Sequence, residues 1–207
     1  MGLLSPLGVL HSATRLVAEA LQVCQNGQDM QDFGGIAMRI EKLSFALDGL
    51  IPNNPALPFV CYRAALDIAA GDPEQGIIRH FAGNGWGDAW INGIYPFQHY
   101  HATAHEVLGI ARGRALVQFG GPNGPRLEVS AGDAVLIPAG VGHCRLDMSD
   151  DLSVVGAYPE GQSADLRRDT AGDFSGAAER IAKVAHPRRD PVTGAAYSAD
   201  ADTARRD

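Results

Sequence analysis

The chain has 207 residues, 45% of them apolar and 20% charged, enough for one domain with a proper core. Its 17 basic and 24 acidic residues give a formal net charge of −7, which repels phosphate backbones and argues against nucleic-acid binding. No apolar run approaches the roughly 18 residues of a membrane-spanning helix, and 25 Gly with 12 Pro favour many short strands over a helix bundle.

The opening stretch "MGLLSPLGVLHSATR" lacks a basic start, and Pro6 and Gly8 interrupt it, so it does not read as a secretory signal. Pro6 also stands where a myristoylation signal expects Ser or Thr. Cys24, Cys61 and Cys144 are scattered, odd in number and form no C-x-x-C, which fits free thiols in a reducing, cytoplasmic setting. "SATRLVAEALQVCQ" places Leu16, Ala20 and Val23 on one helical face, with Ser12 as N-cap. "QNGQDMQDFGG" reads as a linker. Residues 1–43 are therefore expected to be an N-terminal extension, helix plus linker, with the domain starting near Met38 and the barrel proper at 44–165.

"PNNPALP" reads as extended chain, because a residue before Pro avoids the α region. "VCYRAALDIAAG" is expected to be a short helix. "DPEQGIIRHFAGNGW" is expected to be a second, with Asp72 as N-cap, Pro73 in the first position and Gln75 completing a capping box. From Trp90 the period changes. "INGIYPFQHYH", "EVLGIARG", "RALVQFGG", "RLEVSAGD", "AVLIPAG", "GHCRLDM" and "LSVVGAYP" read as seven strands of a β-sandwich or barrel, with "GGPNGP" and "SAGD" as hairpin turns. Residues 166–207 are expected to be a C-terminal helix, "GDFSGAAERIAKVA", and a polar, surface-hugging tail that frays to disorder.

The chemistry concentrates in "HYHATAHE", which holds three of the chain's 7 His. On a strand, His99 and His101 share a face with Cα atoms about 7 Å apart, close enough to tilt onto one ion. Strict alternation nominates His105 as the next donor and puts Glu106 on the opposite face; Glu106 joins only if the strand breaks between Ala102 and His105. The wider pattern is G-x5-H-x-H-x4-E-x6-G (Gly93, His99, His101, Glu106, Gly113), followed by G-x5-P-x-G-x2-H (Gly132, Pro138, Gly140, His143). These spacings resemble the two signature motifs of the cupin superfamily, in the same order, with a hairpin between them. The second motif's usual closing Asn is here Asp147, which bears on the local turn and not on a ligand. "YPFQHYHATAHEVLGIARG", "AGVGHCRL" and "VGAYPEGQSADLRR", with "PNNPALP" upstream and "DPVTG" near the end, are similar to the uncharacterised YjlB-type bacterial cupins over about Leu43 to Gly194.

The resemblance implies an all-β core, a single small cupin barrel of double-stranded β-helix or jelly-roll type with short flanking helices. It implies one divalent transition metal held by His99, His101, Glu106 and His143, with His105 beside them, hydrogen-bonding a ligand or substituting for one. Three imidazoles and a carboxylate suit Fe, Mn, Ni or Zn without distinguishing them, and leave coordination positions open. The implied functions are a metalloenzyme of oxygenase, isomerase or lyase type acting on a small polar or carboxylated molecule, or a non-enzymatic binding or sensing cupin. In the enzyme, Glu106 or His105 can move protons; pairing through the sheets would give a homodimer. Around the site, Tyr95 and Phe97 have the parity of His99 and read as barrel-interior core or pocket walls. Arg145 reads as a carboxylate contact or a barrel-mouth cation, and Cys144 as packing turned away from the metal. Trp86 and Trp90 read as anchors, and Arg167 with Arg168 as a solvated or salt-bridged pair.

Overall fold

The computed structural model describes residues 28–33, 36–69 and 71–197. Among these residues twelve strands run in chain order: β1 (Gln28–Phe33), β2 (Ile36–Leu43), β3 (Phe59–Arg63), β4 (Trp86–Asn92), β5 (His99–Tyr100), β6 (Glu106–Arg112), β7 (Arg114–Phe119), β8 (Arg126–Ser130), β9 (Ala134–Ile137), β10 (His143–Met148), β11 (Ser153–Pro159) and β12 (Arg167–Arg168). Among the described residues three helices accompany them: α1 (Pro73–Gly83), α2 (Ala171–Phe174) and α3 (Ala177–Ile181). The strands form two antiparallel sheets, one ordered β1-β2-β3-β9-β6-β11-β4 and the other β12-β5-β10-β7-β8. This is the expected jelly-roll core.

Alternation along the strands builds that core. Leu108 and Ile110 of β6, Val135 and Ile137 of β9, and Val154 of β11 meet Ala115, Val117 and Phe119 of β7 and Val129 of β8 between the sheets. The larger sheet is buried on its other face too. Val107, Ala111, Leu136, Val155 and Ala157 point outward, where Ile77 and Phe81 of α1 cover them. A strand covered on both faces has no polar side to show, which is why "VLGIA" and "AVLI" are unbroken apolar runs. α1 begins as expected: Asp72 caps it by accepting the Gln75 N–H at 3.1 Å.

Several expectations are corrected. "VCYRAALDIAAG" opens as strand β3, pairing β2 and β9, rather than as a helix. The supposed linker carries β1 and leads into β2, and β2 docks on β3, so the large sheet extends upstream of residue 44. The helix expected over Ser12–Gln25 lies outside the described residues. "SAGD" is a turn, closed by Asp133 N–H on Ser130 O at 2.8 Å, but it carries the chain from one sheet to the other and joins no hairpin; "GGPNGP" does join β7 to β8. The first barrel strand begins at Trp86, not Trp90, and is interrupted between Asn92 and His99. The expected C-terminal helix is two short ones. Residues beyond 165 add β12 to the small sheet, and Ala177 and Ile181 pack under Ile51, Tyr100 and Ala139. The end of the described chain is docked rather than frayed: Val192 is buried beside Trp86 and Phe81.

Among the described residues, no helix is long and apolar enough to cross a membrane.

Candidate metal centre

β5 is only two residues long, and its neighbours in the small sheet fix it. His99 pairs directly with His143 of β10 and with Arg168 of β12. The chain then leaves the sheet at His101 and re-enters as β6 at Glu106, in the other sheet. The break that Glu106 needed therefore exists. Ala102 and Ala104 are small because they are buried inside it, Ala102 against Ala139. On the other motif, Gly140 adopts φ +91°, and a Cβ there would stand 2.6 Å from the Asn53 carbonyl oxygen. Only glycine fits that turn. Its N–H donates to the His101 carbonyl at 2.8 Å, tying the two motifs together just before His143.

The three histidines converge. Each of His99, His101 and His143 offers a nitrogen within 4.8 Å of the others'. Their outer nitrogens all face backbone carbonyls: His99 Nδ1 donates to Phe97 O at 3.0 Å, His143 Nδ1 to Val141 O at 3.3 Å, and His101 Nδ1 to Asp165 O. A carbonyl only accepts, so each Nδ1 carries the hydrogen and each neutral ring turns its Nε2 lone pair inward. Glu106 Oε2 lies 3.4 Å from both His101 Nε2 and His143 Nε2.

Four lone-pair donors thus face one another in a buried site. Without a cation they hold a proton. Burial alone would depress His101, but the Glu106 carboxylate outweighs it and lifts the ring to about 9. Burial likewise works to raise Glu106, and His101 and His143 hold its carboxyl well below the usual range. His99 is pushed down to about 3 by burial and by its neighbour His143, so it stays neutral.

The other expected residues fall differently. His105 is buried but stands outside the histidine cluster; its Nδ1 accepts the Ala139 N–H at 2.9 Å, and it hydrogen-bonds no member of the cluster. Because the chain is irregular over 93–98, parity does not extend back from His99. Tyr95 is 49% exposed rather than core, and stacks on Phe97 at 4.9 Å and edge-on to His99 at 5.2 Å. Phe97 is half-buried beneath the Arg168 guanidinium, 4.0 Å from its ring centre. Arg145 donates from Nε to Ile94 O at 2.9 Å, holding that loop, and does not line the cavity. Arg167 pairs with Asp165 at 2.6 Å and Asp173 at 3.3 Å.

The cluster opens onto a cavity of about 300 Å³ walled by Trp90, Ile94, Tyr95, Leu108, Tyr158 and Leu166. Of these wall residues only Tyr95 was read from the sequence as a cavity group, and three residues of the lining matter most for the chemistry. Trp90, taken for an anchor, lines the wall and donates Nε1–H to Tyr158 Oη at 2.9 Å. Tyr158 faces Glu106, and burial, then that carboxylate, push its phenol up. Asp165 supplies the carbonyl behind His101. The signal for Tyr158 was present: it shares the parity of Val154, an interior residue of β11.

No family model matches the chain. The uncharacterised protein YjlB of Bacillus subtilis (strain 168) is 42% identical over 150 residues, 72% of this chain and 88% of that protein. The chain belongs to the YjlB family. Solved structures align loosely. Acireductone dioxygenase from Bacillus anthracis, with a cadmium ion in its active centre, is 14% identical over 73% of this chain and 89% of that one, at TM-score 0.34. A structure of the DMSP lyases RdDddP and RnDddQII is 14% identical over 75% and 69%, at TM-score 0.31. Procruciferin, the 11S globulin of Brassica napus, is 17% identical over 67% of this chain at TM-score 0.32, and the chain spans 29% of it.

Proposed function

We propose that this YjlB-family cupin is a metalloenzyme acting on a small polar or carboxylated molecule, with one divalent transition metal held by His99, His101, His143 and Glu106. The observation that carries this is the arrangement of donors: three Nε2 lone pairs, fixed inward by three Nδ1–H bonds to carbonyls, beside a carboxylate 3.4 Å from two of them. The set fits Fe, Mn, Ni or Zn, and lacks the thiolates of a closed structural zinc site. A bound ion would supply Lewis-acid polarisation of a substrate oxygen, or redox chemistry with oxygen.

The protein's own groups do the rest. The cavity of about 300 Å³ admits a molecule of few atoms. Arg145 does not line the cavity, so a substrate carboxylate there would go to the metal. Tyr158 Oη accepts from Trp90, which leaves its own hydrogen free for Glu106 or for a substrate oxygen. Ile94, Leu108 and Leu166 make the apolar wall that keeps water few.

The test is elemental analysis of the purified protein and of His101→Ala. It is followed by oxygen uptake and product analysis on a panel of small acids with Fe(II), Mn(II), Ni(II) or Zn(II). About one metal per chain, its loss in the variant, and metal-dependent turnover are expected. Metal and ligand bound with no turnover on any arm would make the protein a binding or sensing cupin. A metal-free protein that takes up none of the four would end the proposal.

A further inference from the structure

The charges around the metal-centre cavity restrict what it can hold. Its lining carries two carboxylates, Glu106 and Asp165, and no Lys or Arg. Asp165 is already compensated: Oδ1 accepts the Ala102 N–H and Oδ2 the Arg167 Nε–H, each at 2.6 Å. The side chains of Asn92, Tyr95, Tyr158 and Trp90 carry no formal charge, and the three histidines are neutral when they ligate an ion. A divalent ion beside the Glu106 carboxylate therefore leaves a single net positive charge. Nothing else in the lining can neutralise an anion. A second negative charge brought into this cavity would be desolvated without a partner, which is costly.

The rim of the same cavity is apolar. Seven large apolar side chains are exposed among the described residues, and three of them line this one cavity: Ile91, Tyr95 and Leu166, 48, 49 and 49% exposed. Belonging to the lining and half in solvent, they stand where the cavity meets water. They come from β4, from the loop before β5 and from the segment before β12, three separate stretches of chain. Trp90, Ile94 and Leu108 continue the apolar wall inward, and Tyr95 sits edge-on to His99 at 5.2 Å. An exposed leucine here and there needs no explanation. Three large apolar side chains brought from separate stretches to the mouth of a polar site do need one.

We infer that the substrate is a singly charged acid with an apolar substituent, its carboxylate head at the ion and its substituent lying across Ile91, Tyr95 and Leu166. This rests on the metal-centre reading above and narrows it from any small polar or carboxylated molecule to one class. The cavity of about 300 Å³ takes the head and the first few carbons, and the rim takes the rest. A dicarboxylate or a phosphate ester would bring a charge that no group of the lining answers. A short polar acid would leave the apolar rim wet and gain nothing from it.

The full-length protein is loaded with Ni(II), which nitrogen and oxygen donors hold more tightly than Mn(II) or Fe(II). It is then titrated with acids, followed by calorimetry and by the visible absorption of the bound ion. The probes are four 2-hydroxy acids with one common head: lactate, 2-hydroxy-4-methylpentanoate, 3-phenyllactate and malate. Malate and 2-hydroxy-4-methylpentanoate are nearly the same shape, with a carboxylate in one where the other has an isopropyl group. The methylpentanoate and phenyllactate should bind about tenfold or more tighter than lactate, and malate no tighter than lactate. Leu166→Arg places a cation at an exposed position of the rim. It should leave the nickel content unchanged, weaken the methylpentanoate and strengthen malate, reversing the matched pair. Ile91→Arg, on a different stretch of chain, should do the same. Malate bound as tightly as its apolar counterpart in the parent, or a matched pair unmoved by both variants, would overturn the inference and leave the metal centre standing. So would variants that change the sedimentation of the protein and not its acid preference, since another copy would then cover the rim. If no nickel binds before any acid is added, the metal-centre reading fails and this inference falls with it.

Discussion

A neutral imidazole presents a lone pair from one nitrogen only, and a hydrogen bond at the other decides which. In His99, His101 and His143 the backbone makes that choice, with carbonyls behind every Nδ1. Metal and proton then compete for the same inward nitrogens, and the competition has a definite pH window. His101 stands at about 9, so below that pH it holds a proton that a metal must expel, whereas His99 at about 3 holds none. Metal uptake at pH 7.5 should release about one proton, and the release should fade above pH 9; calorimetry in buffers of different ionisation enthalpy reads it directly. Zero protons released at pH 7.5 would mean that Glu106 does not hold His101 protonated. The same shift stabilises the metal-free fold through the His101–Glu106 pair. That contribution is full below the ordinary histidine range and disappears as pH rises through about 9. Cys61 provides a second residue-scale test. Burial drives its thiol up to about 12, so at pH 8 it is almost wholly protonated as well as inaccessible. Iodoacetamide labelling of the Cys61 peptide, followed by mass spectrometry at pH 8, should track global unfolding in urea. Rapid labelling in the native protein would contradict the burial.

At the scale of the element, what could be read depended on how a strand meets its neighbours. β6, β7, β8, β10 and β11 stood out because β-branched residues alternate or run between glycine-rich turns. The resemblance of the two motifs to the cupin signatures implied that His99, His101, Glu106 and His143 share a site, whereas strand alternation by itself favoured His105 over Glu106. β3 was misread because "FVCYR" is buried on almost every residue, and a short apolar run has no period to separate strand from helix. β1 was missed because "QDMQDF" carries loop-like composition; its pairing with β2 makes it a strand, and tertiary context overrides propensity there. The parity argument does not carry through the irregular chain before β5: Tyr95 lines the cavity edge-on to His99, but at 49% exposed it is wall and not core. On β10 the register is regular from His143 to Arg145, and Arg145 Nε bonds the Ile94 carbonyl instead of lining the cavity. β11 offers a test of the wall it builds. A Cβ on Gly156 would lie 2.1 Å from two ring atoms of Trp90, so the indole rests directly on that glycine. Gly156→Ala should displace Trp90, break its bond to Tyr158, shift tryptophan emission relative to a Trp90→Phe control, and cost about 1–3 kcal/mol in urea unfolding. Metal content should be unchanged, because no ligand lies on β11. An unshifted emission would show that the indole is not seated there.

On the scale of the whole molecule, the outer face of the large sheet needs more cover than α1 provides, and the C-terminal segment supplies it. Composition made "RRDPVTGAAY" look like a surface tail, since it has few large apolar groups. Its attachment is mainly polar. Asp190 accepts the Tyr62 hydroxyl hydrogen with one oxygen, and the Val192 and Thr193 N–H groups with the other, at 2.9 and 2.8 Å. Those bonds fold the chain so that Val192 enters the core beside Trp86. Trp86 Nε1, Asn84 Nδ2 and His80 Nε2 then donate to the carbonyls of Arg189, Pro191 and Val192 at 3.0, 2.8 and 2.8 Å. The strap therefore joins β3, α1, the turn after it and the start of β4, four elements separated by more than a hundred residues of chain from Asp190. Removing Asp190 should loosen all of them together. Asp190→Ala deletes three hydrogen bonds and strands the Tyr62 hydroxyl, 2% exposed, without an acceptor. The expected loss is about 2–4 kcal/mol, which for a chain of this size lowers the melting temperature by roughly 5–15 °C. Tyr62→Phe leaves the two N–H bonds to Asp190 in place and should cost less than half as much. Calorimetry of both variants checks the order. No residue of this strap lines the cavity of the proposed metal centre, so metal bound per folded chain should stay as in the parent. If Asp190→Ala melts within 1 °C of the parent by the same roughly 1 kcal/mol-sensitive calorimetry, the segment is only resting on the sheet and the outer core is closed by α1 alone.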